Sequence, residues 1–277
     1  MALYVIGDTH GHCAQVADAL REAGLLAADG SWCGGDARLW FLGDLTDRGP
    51  DGVGMIELIM GLQPQAAAAG GEVGCVLGNH DLLLFGSYYL PDALIAPDRT
   101  IVQSWVLNGG QDSDLDRLTE THLGWLARLP AVALVEGHLL IHADTTAYLE
   151  FGSSIDEINA TIRAMLAERD TETFGARMRL TFRRFEFLDP ATGPGRARLL
   201  LDRLGGERIV HGHSTIPETF AVPPALVDSP VVYADGLVVS VDTGIALGAR
   251  CVPFALVPAV PHEPDACASL RSSGHPT

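Results

Sequence analysis

The chain has 277 residues, and its eighteen basic residues against thirty-five acidic ones give a formal net charge of −17. All of the basic residues are arginine. The lack of lysine excludes Schiff-base catalysis, the P-loop lysine and the strand lysine of protein kinases. The acidic balance also argues against nucleic acid or an anionic membrane as the main partner, because both require an excess of cations.

The cysteines and the apolar segments bear on where the protein works. Five cysteines form no C-x-x-C pair, and this odd number at wide spacing indicates reduced thiols in a cytoplasmic protein. The N-terminal residues lack a basic region, and no uninterrupted run of about 18 apolar residues is present. We therefore expect neither export nor a membrane-spanning segment.

Short apolar runs alternate with helical patterns over the first two-thirds of the chain. Runs rich in branched or aromatic residues predict buried strands, and these lie at residues 3–6, 39–42, 73–77, 131–135 and 139–141. Apolar residues at helical spacing predict helices at residues 13–23, 53–62 and 119–129. The alternation favours an α/β architecture with a largely parallel sheet.

An arginine-rich segment at residues 151–206 is predicted to be a helical insert or cap. Ten of the eighteen arginines lie between Arg163 and Arg208, against seven acidic residues, so that this stretch has a net charge of +3. Strands of a second sheet are predicted at residues 207–211, 231–234, 237–241 and 251–257. We assign residues 1–257 to one domain and predict a flexible tail at residues 258–277, which are rich in Pro, Ser, Gly and Ala.

Polar side chains that can bind metal follow five of the predicted strands directly. They are Asp8 and His10, then Asp44, then Asn79 with His80 and Asp81, then His142, then His211 and His213. Each group alone is better explained by a turn, a helix cap or a core histidine. Together they offer oxygen and imidazole ligands without a thiolate, at the strand ends where α/β sheets bind ligands. This mixture favours two divalent ions of the Mn, Fe or Zn kind over a cysteine-rich zinc site or a calcium site.

The same residues lie in motifs that resemble those of a known family. The motifs are G-D-T-H-G at 7–11, G-D-L-T-D-R-G at 43–49, G-N-H-D at 78–81, H-A-D at 142–144 and G-H at 212–213. In this order they resemble the calcineurin-like metallophosphoesterases, and most closely the bacterial branch of the serine/threonine phosphoprotein phosphatase family. The resemblance covers residues 3 to about 257. It implies an α/β fold in which a double β-sheet sandwich is flanked by helices.

The resemblance also implies roles for individual residues. The implied metal ligands are Asp8 and His10 for one ion, Asp44 as a bridge, and Asn79, His142 and His213 for the second ion. His80 is implied as the general acid that protonates the leaving oxygen, with Asp47 orienting its imidazole. Arg48 and Asn79 are implied to bind the substrate phosphate, for which the planar guanidinium of arginine is well suited.

Several neighbouring residues are harder to assign from sequence. Arg184 is our choice for a second phosphate-binding arginine, Arg183 is a close alternative, and a solvated helix face would explain the whole cluster as well. His213 is preferred over His211 as the ligand because Gly-His is the matching pair. Asp242 to Gly244 is predicted to be structural. The four tryptophans, Trp32, Trp40, Trp105 and Trp125, are predicted to pack in the core.

These observations predict a dinuclear metal-dependent phosphoesterase. We expect it to hydrolyse phosphomonoesters by attack of a metal-bridging hydroxide, with manganese preferred and iron or zinc as alternatives. The favoured substrate is a protein phosphorylated at serine or threonine, or a small phosphoester that resembles it. One alternative is a symmetrical bis(5'-nucleosyl)-tetraphosphatase. Another, from a different class, is an inactive protein that binds metal or a phosphorylated ligand.

Overall fold

Two large β-sheets pack face to face with helices outside, and a short two-stranded sheet, β4-β5, lies apart from them. The computed structural model describes residues 1–257. Its strands are β1 (Leu3–Ile6), β2 (Arg38–Phe41), β3 (Glu72–Cys75), β4 (Leu94–Ala96), β5 (Arg99–Thr100), β6 (Val132–Val135), β7 (His138–Ile141), β8 (Arg208–His211), β9 (Val231–Tyr233), β10 (Val238–Ser240) and β11 (Phe254–Leu256). Its α-helices are α1 (Cys13–Glu22), α2 (Gly52–Ala68), α3 (Asn79–Tyr89), α4 (Ile101–Leu107), α5 (Asp112–Arg117), α6 (Glu120–Leu126), α7 (Ile155–Glu168), α8 (Thr171–Met178), α9 (Gly193–Leu204) and α10 (Ile216–Phe220).

The two sheets have parallel centres and antiparallel edges. The first has the order β11-β1-β2-β3, in which β1, β2 and β3 are parallel. The second has the order β6-β7-β8-β10-β9, in which β7, β8 and β10 are parallel. Parallel strands end at a common edge, so the polar residues that follow β1, β2 and β3 lie side by side.

An apolar layer fills the space between the sheets. Leu3 and Val5 of β1 belong to it, as do Leu140 of β7 and Val239 of β10. Alternate residues of a strand point to opposite faces, so Tyr4 and the neighbouring Ile6 pack instead in the larger cluster beneath the helices. The predicted α/β double-sheet sandwich with flanking helices is confirmed.

The strands were easier to predict than their sheet membership. Residues 251–257 were predicted to join the second sheet, which is wrong: β11 pairs antiparallel with β1 in the first sheet. The predicted strands near 131–141 instead form the antiparallel hairpin β6-β7 of the second sheet. Its two turn residues, Glu136 and Gly137, both have positive φ, at 49° and 78°, as the twist of a two-residue hairpin requires. An apolar run predicts that a strand is buried, but it does not predict which strand it pairs with.

The helical content was underestimated in several regions, since α4, α5 and α10 were not predicted. The helix α3 was not predicted, because nearly all of its residues are buried and it lacks a polar face. Residues 151–206 contain three α-helices rather than the one or two expected; α7 packs against β6 and α9 against β8. That this segment is an insert or cap stays a prediction, and the predicted tail lies outside the described residues.

Within residues 1–257, the helices are too short or too polar to cross a bilayer.

Neighbouring leucines of α9 allow a direct test of its packing. Leu200 is fully buried, whereas Leu199 is 46% exposed. We expect Leu200→Ala to lower the free energy of unfolding by about 2–5 kcal/mol, because it removes buried methyl groups and leaves a cavity. Leu199→Ala should change it by no more than about 0.5 kcal/mol. Urea denaturation of both variants measures the difference; equal effects would show that α9 packs through another face.

Candidate active site

The polar residues that follow the strands come together in one cavity. Asp8 and His10 follow β1, Asp44 follows β2, Asn79 and His80 begin α3 after β3, and His213 follows β8. The cavity measures about 570 Å³ and is lined by all six of these residues. His142, which follows β7, is buried behind it and contacts Asn79. The edge where both sheets end therefore carries a cluster of carboxylate, amide and imidazole side chains.

Two groups of side chains in this cavity could each hold a metal ion. His10, Asp44 and His80 form one, and Asp44, His142 and His213 form the other, with their ligand atoms within 4.8 Å of one another in each group. Asp44 belongs to both, which suits a bridging carboxylate. The first group contains His80, which the sequence predicted as the acid, where Asp8 was expected.

Asp8 nevertheless lies against both groups. Its Oδ2 is 3.8 Å from Nε2 of His10, and its Oδ1 accepts a hydrogen bond of 2.9 Å from the backbone N–H of His213. Asp8 thus connects the end of β1 to the loop after β8. It remains a predicted ligand, at a position where its carboxylate faces the His10 ring.

Backbone carbonyls orient the histidines. Nδ1 of His10 donates to the carbonyl of Thr46 at 3.0 Å, and Nδ1 of His142 donates to the carbonyl of Leu42 at 2.7 Å. Nε2 of each ring then faces the site, the orientation found in histidines that bind metal. Nε2 of His142 lies 2.8 Å from Oδ1 of Asn79 and 3.3 Å from Oδ1 of Asp44.

The buried carboxylates and histidines of the site shift one another's pKa values. Burial and the nearby Asp242 carboxylate raise the pKa of Asp8 well above its usual range. Burial raises the pKa of Asp242 itself to about 6. Although burial disfavours the charged form of His142, the Asp44 and Asp8 carboxylates raise its pKa to about 10. Although burial opposes it, His142 and His80 hold the pKa of Asp44 well below its usual value, whereas Asp8 and Asp242 are left short of positive charge.

His213 has a buried ring nitrogen and lines the same cavity. Nε2 of His213 is buried without a hydrogen-bond partner among the described residues. Burial, followed by the charge of His142, lowers the pKa of His213 well below its usual value, so the ring is neutral as metal binding requires. An orphaned imidazole nitrogen beside undercompensated carboxylates fits divalent cations. The residues present therefore suit the two ions that the sequence predicted.

His80 is the end of a chain of hydrogen bonds. Its Nδ1 lies 2.7 Å from Oδ2 of Asp47, and Oδ1 of Asp47 accepts from the indole Nε1 of Trp105 at 2.7 Å. Arg48 donates from Nη2 to Nε2 of His80 at 3.0 Å and from Nη1 to Nε2 of His10 at 2.8 Å. The expected pair of Asp47 and His80 is thus in contact, and Arg48 spans the two histidines.

The two candidate arginines separate in the structure. Arg184 lines the cavity, whereas Arg183 forms an exposed ion pair with Glu150 at 2.6 Å. Asp144 fixes this segment, because its Oδ2 accepts from the backbone N–H of Phe185 at 2.8 Å and its Oδ1 accepts from Ser214 at 2.6 Å. Sequence reasoning missed this link, since these residues are 41 and 70 positions from Asp144.

Three further residues were assigned only partly from sequence. Asp81 accepts hydrogen bonds from the backbone N–H groups of Asp44, Leu45 and Gly78, and so supports the end of β2. His211 is turned away from the cavity, with Nε2 2.8 Å from the hydroxyl of Tyr233. Asp242 accepts from the backbone N–H of Gly244, in line with a structural role, and it also lines the cavity.

The backbone of the site is unusual. Five of its non-glycine residues have positive φ: His10 (42°), Asp44 (50°), Asp47 (69°), Arg48 (63°) and His213 (62°). Non-glycine residues avoid this left-handed region because Cβ approaches the carbonyl oxygen. Such conformations persist where the surrounding structure determines them, and they cluster at functional sites.

Comparison with known proteins identifies the family. Residues 1–217 match the calcineurin-like phosphoesterase family, and the chain belongs to it, which confirms the resemblance seen in the motifs. A symmetrical bis(5'-nucleosyl)-tetraphosphatase of Bordetella parapertussis is 27% identical over 208 residues, which are 75% of this chain and 62% of the relative. The chain thus spans about three-fifths of the length of that relative. Shewanella-like protein phosphatase 2 of Arabidopsis thaliana is 32% identical over 81 residues, 29% of this chain and 21% of the relative.

Solved structures agree on the fold. A cold-active protein-tyrosine phosphatase of a psychrophilic Shewanella superposes with a TM-score of 0.66 at 19% identity, over 90% of this chain and 73% of the other. A protein serine/threonine phosphatase of Saccharomyces cerevisiae superposes with a TM-score of 0.56 at 15% identity, over 96% of this chain and 82% of the other. At these identities the likeness concerns the architecture alone.

Proposed function

We propose that this protein hydrolyses phosphoesters at a dinuclear metal centre. The observation that carries the proposal is the pair of ligand groups that share Asp44, beside an orphaned His213 nitrogen. Asp8, His10 and Asp44 would hold one ion, and Asp44, Asn79, His142 and His213 the other. Two bound divalent ions would lower the pKa of a coordinated water and neutralise charge on the phosphoryl group. Manganese is the proposed ion, with iron or zinc as alternatives.

The chain's own residues divide the remaining work. Arg48 lies between His10 and His80 with two N–H groups directed at their Nε2 atoms. Since both rings border the proposed metal centre, this guanidinium is placed to redirect those donors to phosphoryl oxygens. When Arg48 turns to the phosphate, Nε2 of His80 is free to carry the proton for the leaving oxygen, while Asp47 fixes the ring through Nδ1. Asn79 lies where its amide can contact both a metal and the phosphate.

The substrate that we favour is a protein phosphorylated at serine or threonine. Arg48 and Arg184 line the cavity, and two arginines are enough to bind the oxygens of a single phosphoryl group. The second candidate is a dinucleoside tetraphosphate, which the name of the Bordetella relative supports over 75% of the chain. An inactive binding protein is disfavoured because the proposed ligands, acid and arginines all converge on the cavity.

A substrate panel with added manganese tests these alternatives. Phosphoserine peptides, para-nitrophenyl phosphate, mononucleotides and diadenosine tetraphosphate would be compared at equal concentration. A higher kcat/KM for the phosphopeptide supports the favoured substrate, and a higher value for diadenosine tetraphosphate supports the second. Protein that holds two manganese ions but hydrolyses none of these compounds would overturn the proposed activity.

The neighbouring arginines provide a matched test of phosphate binding. Arg184→Ala should raise KM for a phosphoester about 10–100-fold, because it removes a charged hydrogen-bond donor of about 1.5–3 kcal/mol from the cavity. Arg183→Ala should change KM less than about threefold, since Arg183 pairs with exposed Glu150. Steady-state kinetics of both variants measure this. A larger effect at Arg183 would assign the phosphate to that residue instead.

A further inference from the structure

We infer that Trp105 is a positioning residue that orients His80 through Asp47. This inference rests on the proposed phosphoesterase function. The indole Nε1 of Trp105 donates to Oδ1 of Asp47 at 2.7 Å, while Oδ2 of the same carboxylate lies 2.7 Å from Nδ1 of His80. The three side chains form one line that ends at Nε2 of His80, in the cavity.

The hydrogen bonds of Asp47 are shielded from solvent. The side chain of Asp47 is fully buried, and Trp105 is 1% exposed. Each carboxylate oxygen of Asp47 therefore has one side-chain donor, and solvent cannot replace a donor that is lost. A carboxylate held at only one oxygen can rotate about its χ2 angle, and the imidazole bound to it would turn with it. The indole N–H thus fixes the plane of the carboxylate and, through it, the direction of Nε2 in His80.

The indole ring is itself held firmly. It packs flat on Gly110, where an added Cβ would lie 2.3 Å from the ring carbons. The backbone N–H of Gly110 also donates to the carbonyl of Trp105 at 2.9 Å. The donor consequently has little freedom to follow Asp47 if that carboxylate moves.

The same short segment, residues 105–110, also holds Arg48. The backbone N–H of Arg48 donates to the carbonyl of Gly109 at 2.7 Å. Gly109 has a φ of 94°, and an added Cβ there would lie 2.9 Å from Cγ of Arg48. The end of α4 thus supports both Asp47, which contacts the acid, and Arg48, and these two residues lie about sixty positions earlier in the sequence.

The indole N–H groups of the other tryptophans do not reach the site, and that of Trp40 is buried without a hydrogen-bond partner among the described residues. Nε1 of Trp125 donates to Gln63 at 2.9 Å, and Nε1 of Trp32 donates to the carbonyl of Gly35 at 3.1 Å. Neither partner lines the cavity. Trp125 is 7% exposed and loses an equivalent hydrogen bond on mutation to phenylalanine, so it is a matched control for Trp105.

The test compares leaving groups. In manganese-loaded protein, Trp105→Phe should lower kcat about 10–100-fold on a phosphoserine peptide, the range found when a supporting partner of a functional histidine is removed. On para-nitrophenyl phosphate, whose leaving group needs little protonation, the loss should be under about threefold. Trp125→Phe should leave the ratio of the two rates unchanged. Benzothienylalanine keeps the shape of indole but lacks its N–H. If Trp105→Phe folds poorly, replacement of Trp105 by benzothienylalanine should still show the loss expected for Trp105→Phe.

A double-mutant cycle separates positioning from general stability. If Trp105 acts through Asp47, then Trp105→Phe combined with Asp47→Asn should lose little more activity than Asp47→Asn alone. Equal losses on the two substrates, or losses that multiply in the double variant, would overturn the inference while the proposed function stands. Wild-type protein that is inactive on both substrates would instead overturn the proposed function, and this inference with it.

Discussion

Asp44→Asn is expected to remove most of the bound manganese and to lower kcat/KM on para-nitrophenyl phosphate by about a thousandfold. Asp44 belongs to both ligand groups, so the change removes a negative charge from each proposed ion at once. Metal ions contribute several kcal/mol to phosphoryl transfer, and each 1.36 kcal/mol corresponds to a factor of ten in rate. No other proposed ligand serves both groups.

Metal content and activity should be measured on the same samples. Elemental analysis after dialysis gives manganese per chain, and steady-state kinetics gives kcat/KM. Asp18→Asn is the control, because Asp18 is exposed on α1 and pairs with Arg21; it makes the same change of charge away from the site. A variant at Asp44 that retains two manganese ions with full affinity would refute its role as the bridge.

His80→Ala should have the second largest effect, with a different signature. We expect manganese content to stay at the wild-type value while kcat on a phosphoserine peptide falls about 10²–10⁴-fold, the usual contribution of a general acid. The loss on para-nitrophenyl phosphate should be much smaller, because its leaving group departs without a proton.

This experiment also decides between two roles for His80. Its side chain lies in the ligand group with His10 and Asp44, with Nε2 3.9 Å from Oδ2 of Asp44, so geometry alone would allow it to bind metal. The Asp47 contact at Nδ1 favours the acid role, because it leaves Nε2 facing the cavity. Loss of one manganese ion in His80→Ala, with equal losses on both substrates, would make His80 a ligand instead.

The sequence indicated which side chains lie together, because these residues follow strands directly. Asp8, Asp44 and His142 come within two residues of the end of a buried apolar run, and parallel strands bring such positions to one edge. Local pattern therefore indicated their common position, and that they bind metal stays a prediction.

What the sequence did not show depends on contacts between distant segments. Trp105 looked like an ordinary core residue, and its link to Asp47 spans 58 positions. Asp144 looked like the end of a motif, but it fixes the segment that carries Arg184. The pairing of β11 with β1 joins the two ends of the described chain. Periodicity reports the environment of one segment and contains no information about such partners.

The five left-handed residues of the site set folding stability against function. Each costs on the order of 1–3 kcal/mol, and glycine would relieve that cost at every one of them. Yet Asp44 and His213 are proposed ligands, and Arg48 is the proposed phosphate contact. A directed-evolution screen that rewarded heat resistance alone would therefore favour glycine at these positions and discard the active site while improving the fold. Engineering of this protein for higher melting temperature should keep these residues fixed and seek its gains elsewhere.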